Sequence, residues 1–154
     1  MKSQGAQIIT TNRKATHEYF IAERLECGIV LQGTEVKSLR AGRANLKDSY
    51  CKIKDDEAYL LKCHITPYEH GGYVNHEPER PRKLLLHRNE IKRLRRQVES
   101  KGITLIPLKM YFIDKGIVKV EIGLAKGKRQ YDKRAALAAK DNRREMERIR
   151  KDSY

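Results

Sequence analysis

No run of apolar residues in this sequence approaches the ~20 that a membrane-spanning helix needs. The opening MKSQGAQIITTN also lacks the apolar stretch of a secretory signal. The expectation is a cytoplasmic protein with no membrane partner. Cysteine is scarce, and Cys27, Cys51 and Cys63 are odd in number with no CxxC spacing. That argues against a disulfide framework and for reduced thiols. Acids are outnumbered: 20 Asp and Glu face 34 Lys and Arg, for a net charge of +14. A polyanion is the natural partner, because positive charge steers a chain toward phosphates and binding releases their counterions. The 154 residues suffice for one domain with a real core and an appendage.

Signatures of catalysis are missing as well. GLAKGK at 123–128 falls short of a Walker A loop: only three residues separate its glycines, and Arg129 stands where a hydroxyl would hold magnesium. Cys63, His64, His70 and His76 match no structural zinc spacing and read as a buried thiol beside exposed loop histidines. Asp55-Asp56-Glu57 reads as the solvated tip of a hairpin, and no Ser, Cys or His lies in a nucleophile motif. The expectation is a protein that is no enzyme, with no catalytic residue, metal or cofactor.

What is present is a succession of strands. HEYFIAERLECGIVL at 17–31 suits a long strand with room for a bulge, and TEVKSLRAG a short helix capped by Thr34 and stopped at Gly42. SYCKIK and AYLLKCHI flank the acidic turn as a hairpin, and the Pro- and Gly-rich stretch 66–82 reads as an exposed loop. KLLLH is a short strand. NEIKRLRRQVESKG is a helix capped by Asn89, with apolar positions 91, 94 and 98 and a stop at Gly102. ITLIPLKMYFI and IVKVEIGLA then face each other across residues 114–116, and Val118, Val120, Ile122 and Leu124 mark one buried face. Six strands with two short helices favour a closed Greek-key barrel of the OB type, since closure removes exposed edges. An open mixed sheet with helices on one face is the alternative.

Basic residues mixed with aromatics supply the chemistry. NRKATHEYF gathers Asn12, Arg13, Lys14, His17, Tyr19 and Phe20, where cations meet phosphates and rings stack on unpaired bases. Lys92, Arg93, Arg95 and Arg96 read as the wet side of an amphipathic helix. The closing AKGKRQYDKRAALAAKDNRREMERIRK has no Pro, and Leu137, Met146 and Ile149 are its only large aliphatics. It reads as a basic helix with nothing of its own to pack against.

NRKATHEYFI, GIVLQGTEVKSLRAGRANLKDSY, RKLLLH, ITLIPLKMYF, VKVEIGLAKGK and YDKR occur in an order that resembles the SsrA-binding protein (small protein B, SmpB) family. The likeness runs from about residue 7 into the tail. Residues 1–11 read as a flexible N-terminus and the body offers about six strands; the resemblance implies an OB-like barrel (12–125) and a basic tail (126–154) that becomes helical on the ribosome. It implies binding to the tRNA-like domain of transfer-messenger RNA (tmRNA), and rescue of ribosomes stalled on mRNA without a stop codon. The expected partners are tmRNA, the 70S ribosome with its 16S rRNA decoding centre and mRNA channel, and elongation factor Tu with GTP. Carried over by position, Asn12, Glu26, Leu85 and Lys119 are the RNA-binding candidates, with Arg13, His17, Tyr19 and Arg40 in equally matched motifs. Gly127, Lys128, Arg129, Tyr131, Asp132, Lys133 and Arg134 match the tail segment expected at the decoding centre. Arg129 stands where Lys is frequent, and Tyr131 replaces the His of some members. A structural ribosomal protein and an RNA-processing enzyme are the rival readings.

Overall fold

The structure is a computed structural model that describes residues 6–100 and 102–127. Among the described residues, nine strands and three α-helices follow one another as β1 Gln7–Thr11, α1 Arg13–Glu18, β2 Tyr19–Ile29, α2 Gly33–Arg40, β3 Ala44–Asn45, β4 Tyr50–Lys54, β5 Glu57–Leu61, β6 His64–Ile65, β7 Arg82–Leu85, α3 Arg88–Glu99, β8 Ile103–Ile113 and β9 Ile117–Gly127. Six of the strands close into an antiparallel ring, β8-β4-β5-β7-β2-β9, shut by a β8–β9 ladder that runs from Ile103–Lys126 to Ile113–Ile117. The fold is therefore mainly β with short helices, and the ring rules out the open sheet. Strand β1 adds to the outer edge of β8, and β3 pairs with β6 as a separate ribbon.

Alternation builds the ring. Val118, Val120, Ile122 and Leu124 all point inward from β9, where they meet Leu105 and Met110 of β8, Cys27 of β2 and Leu60 and Leu84 of β5 and β7. Register shifts between Ile21 and Glu23 in β2 and between Pro107 and Lys109 in β8 mark bulges. Bulges bend long strands, and Pro107, which has no N–H to give a ladder, sits at one of them. Gly123 faces both bends: a Cβ there would lie 3.0 Å from Ile21 Cγ2 and 3.0 Å from Leu108 Cδ1. The two-residue turn Asp55-Asp56 has φ of 53° and 61°, the left-handed pair that closes a tight hairpin between β4 and β5.

Several local expectations need correction. Residues 7–11, placed in a flexible N-terminus, form β1 with Gln7 opposite Phe112. A third helix, α1, precedes β2, and the strand starts at Tyr19 rather than at residue 17. The N-cap of α2 is Gln32, not Thr34, with Glu35 Oε1 accepting from the Gln32 N–H at 2.7 Å. Likewise α3 starts after His87, not Asn89, and Glu90 accepts from the His87 N–H at 2.9 Å. Glu57 is a strand residue bound to Lys83 at 2.6 Å, not part of the turn tip.

His76 is buried rather than exposed, with Thr34 Oγ1 2.9 Å from Nδ1 and the Ile65 carbonyl 2.9 Å from Nε2. A carbonyl only accepts, so in the neutral ring Nε2 carries the proton and Nδ1 accepts from Thr34. Beside it lies a buried ion cluster. Glu35 and Arg82 are fully buried; Arg82 Nε donates to Glu35 Oε2 at 2.6 Å, and Arg80 Nη2 donates to Oε1 at 2.6 Å. Arg82 also donates to the carbonyls of Cys63 and Pro78, so the cluster ties α2 to the end of the long loop.

Burial pushes the thiols of Cys27 and Cys63 up, to about 12 and about 11, and raises Cys51 as well. A thiol held neutral in the fold ionises near pH ~8.5 in the unfolded chain. Its contribution to stability is complete below that pH and is lost as pH climbs through the folded values. The urea midpoint is therefore expected to hold from pH 7 to 8 and fall steadily above about pH 9. Cys27→Ala should lessen the fall; an equally steep decline in the variant would refute this origin.

Candidate nucleic-acid interface

The register of four strands assembles the main candidate site. Gly28 of β2 lies opposite Leu85 of β7 on one side and Lys119 of β9 on the other. Lys119 in turn lies opposite Tyr111 of β8, so Leu85, Gly28, Lys119 and Tyr111 form a row across the barrel's outer face. Glu26, two residues before Gly28, shares that face. Sequence candidates Glu26, Leu85 and Lys119 thus converge on one groove of about 640 Å³, whose rim includes Lys83, His87 and Arg88.

Each member has a distinct chemistry. Leu85 is 51% exposed and rests on the bare backbone of Gly28, where a Cβ would come within 3.2 Å of the Leu85 Cβ. A half-exposed aliphatic in a charged groove is a platform for a ribose or a base. The Tyr111 hydroxyl donates to Glu26 Oε2. Burial and that hydrogen bond push the phenol well above its ordinary range, so it remains a donor. The Glu26 carboxylate is thereby oriented, with lone pairs left for a ribose hydroxyl or a guanine edge. Lys119 adds a cation, a group able to meet a phosphate. Two of the lining acids are neutralised, Asp56 by Arg95 and Glu57 by Lys83, and Glu90 accepts from the His87 N–H.

The remaining candidates lie elsewhere. Asn12 is the buried N-cap of α1: its Oδ1 accepts from the Ala15 N–H at 3.2 Å and its Nδ2 donates to the Pro107 carbonyl at 2.9 Å. Both ends of its amide are engaged, which fits a residue that sets α1 in place. Arg13 and His17 are exposed one turn apart on α1 and share its outer side. Tyr19 is half-buried and lines a second, smaller hollow of about 320 Å³ with Lys14, Tyr50 and Thr104. Along β2, Tyr19 and Glu26 are seven residues apart, roughly 20 Å of strand. Arg40 lies at the end of α2, its guanidinium near Gly116 in the β8–β9 connection. Gly127, the last described residue, pairs with Tyr19. Lys128, Arg129, Tyr131, Asp132, Lys133 and Arg134 fall outside the described residues.

Sequence reasoning missed Gly28, Tyr111, Lys83 and Arg88. Tyr111 and Glu26 are 85 residues apart, and nothing local to either announces the contact. RKLLLH did carry a signal for the rim, since its apolar run is bracketed by Lys83 and His87. Among the described residues, no three His, Cys, Asp or Glu side chains gather as a metal site would require, and no helix is long and apolar enough to cross a membrane.

The family model described as SmpB protein matches residues 9–152. An SsrA-binding protein of Symbiobacterium thermophilum is 57% identical over 148 residues, covering 96% of this chain and 94% of the relative. One from Moorella thermoacetica is 58% identical over 142 residues, covering 92% of each. Among solved structures, a chain from work described as "tmRNA-SmpB: a journey to the center of the bacterial ribosome" superposes with a TM-score of 0.67 at 53% identity, covering 77% of this chain and 83% of that one. A family model spanning nearly the whole sequence, and relatives above half identity over nine-tenths of it, have one meaning: the chain belongs to the SmpB family of SsrA-binding proteins.

Proposed function

We propose that this protein binds the tRNA-like domain of tmRNA through the Glu26–Leu85–Lys119 groove and brings it to ribosomes stalled on mRNA without a stop codon. The likeness to SsrA-binding proteins over nearly the whole chain is the observation that carries this reading. The groove supports it with an apolar platform, an oriented acceptor and a cation, the three contact types that folded RNA offers partners for. Asn12, Arg13, His17 and Tyr19 contribute from the α1 end, Asn12 by positioning. In this reading the work is done in the cytoplasm, with elongation factor Tu and GTP in the delivery complex. The tail leaves the barrel after Gly127, which ends β9 opposite Tyr19; its Lys128, Arg129, Tyr131, Asp132, Lys133 and Arg134 pass the decoding centre, and it continues as a helix in the empty mRNA channel. The role is that of an adaptor, not an enzyme.

Sequencing of the RNA that co-purifies with the tagged full chain tests the reading. Enrichment of tmRNA is expected; stoichiometric recovery with all ribosomes, stalled or not, would favour a structural ribosomal protein. Within the groove, Lys119→Ala is expected to weaken tmRNA binding about tenfold, ~1.4 kcal/mol, and to lower the salt slope by about 1. Unchanged affinity at physiological salt would remove Lys119 from the interface.

A further inference from the structure

Helix α3 carries five cations, and the structure divides them into two kinds. Arg93 is bound to Glu23 at 2.6 Å, and Arg95 is bound to Asp56. Arg88, Lys92 and Arg96 are exposed and make no ion pair or side-chain hydrogen bond among the described residues. The three unpaired cations recur every fourth residue. At 100° per residue they form one strip between Arg95 on one flank and Arg93 on the other, with the buried Leu94 opposite. The strip is about 12 Å long at 1.5 Å per residue. Its first member, Arg88, already stands on the rim of the groove with Leu85 and Lys119.

We infer that Arg88, Lys92 and Arg96 form a phosphate track that extends the groove along α3 and receives successive phosphates of one RNA strand. This inference rests on the proposed binding of tmRNA and deepens it. Two features favour RNA phosphate as the occupant. The strip is continuous with the groove, and its neighbouring acids Glu23 and Asp56 are already neutralised by cations of the same helix. A wet helix face kept only for solubility has no need of that partition; Arg93 and Arg95 fix the helix, while the strip between them keeps its charge. Side chains at this spacing stand about 5–6 Å apart, similar to the step between phosphates along a strand. Glu99 closes the far end of the strip, which limits the track to three cations.

The test is binding of the full chain to a tRNA-like-domain RNA across a range of salt. Arg88→Gln/Lys92→Gln/Arg96→Gln is compared with Lys47→Gln/Lys52→Gln/Lys62→Gln, which removes the same charge from exposed positions away from α3. The α3 triple variant is expected to lower the slope of log K against log salt by 2 to 3 and to weaken binding by about tenfold to a hundredfold at physiological salt. The control should change the slope by less than about 1. Arginine-to-lysine replacement at 88 and 96 should restore most of the slope, and thermal melting should be unaltered because the three side chains are exposed. Equal slopes for the α3 variant and the wild type, or an equal loss in the control, would overturn the track while leaving tmRNA binding standing. Failure of the wild type to bind the RNA would overturn both.

Discussion

Glu35→Gln is expected to destabilise the barrel by about 3–5 kcal/mol, because it strands a buried guanidinium without its counterion. Both Glu35 and Arg82 are fully buried, and the carboxylate accepts from Arg80, Arg82 and the Gln32 N–H. Burial alone would push the Glu35 carboxyl up. Hydrogen bonds from Arg80, the Gln32 N–H and Arg82, with the attraction of Arg82, outweigh it and hold the group below its ordinary range. A depressed carboxylate stabilises the fold fully above the unfolded value of ~4.3 and loses that contribution as pH falls through the lower folded value. Two measurements follow. Denaturant unfolding at pH 7 should show the loss, and the decline of stability between pH 5 and 3 should be shallower in the variant than in the wild type. A loss below about 1 kcal/mol would mean that water or a shift of Arg80 replaces the carboxylate, and the cluster would not be the anchor described. The consequence extends to the proposed interface, since Arg82 ties the end of the 66–81 loop to the strand that presents Leu85.

What was legible in the sequence follows the range of the interactions. The long strands β8 and β9 are plain, because alternation in β9 is a local record of one buried face and the turn between the two apolar runs is marked. Helix α3 was equally plain, with Ile91 and Leu94 one turn apart. Helix α1 was hidden: six residues with only Ala15 buried give no period to detect. The expected caps miss because a better-placed residue lies two positions earlier in each case. Thr34 looked like a cap, yet its hydroxyl serves His76, 42 residues away. His76 itself lies in a stretch whose Pro and Gly content signals exposure, and only the packing of α2 and β6 around it says otherwise. The groove is the clearest case of non-local design. Family resemblance points to Glu26, Leu85 and Lys119 only one by one. Their grouping around Gly28, and the partner Tyr111, are products of register between strands far apart in sequence.

Removal of residues 131–154 is expected to leave tmRNA affinity within about threefold, ~0.7 kcal/mol, while peptide tagging on stalled ribosomes falls to background. The groove and α3 lie wholly within residues 26–119, and the pairing of Gly127 with Tyr19 is retained. The deleted stretch holds eight basic and five acidic residues, so the net charge falls only from +14 to +11. Long-range attraction to RNA therefore survives, and a failure of tagging cannot be assigned to lost steering. In the proposed mechanism the tail senses an empty channel through the free energy of its own ordering. Fixing a residue's backbone costs roughly 1–2 kcal/mol, and a segment with so few large aliphatics cannot offset that by burying itself. Only a surrounding wall of phosphates can, and an mRNA in the channel denies access to it. The same logic distinguishes charge from length. A tail with Lys133, Arg134, Lys140, Arg143 and Arg144 replaced by Gln should fail as the deletion does, with tmRNA binding intact. Tagging retained by either variant would sink the sensing role, and parallel loss of tmRNA affinity would sink the division of labour between barrel and tail.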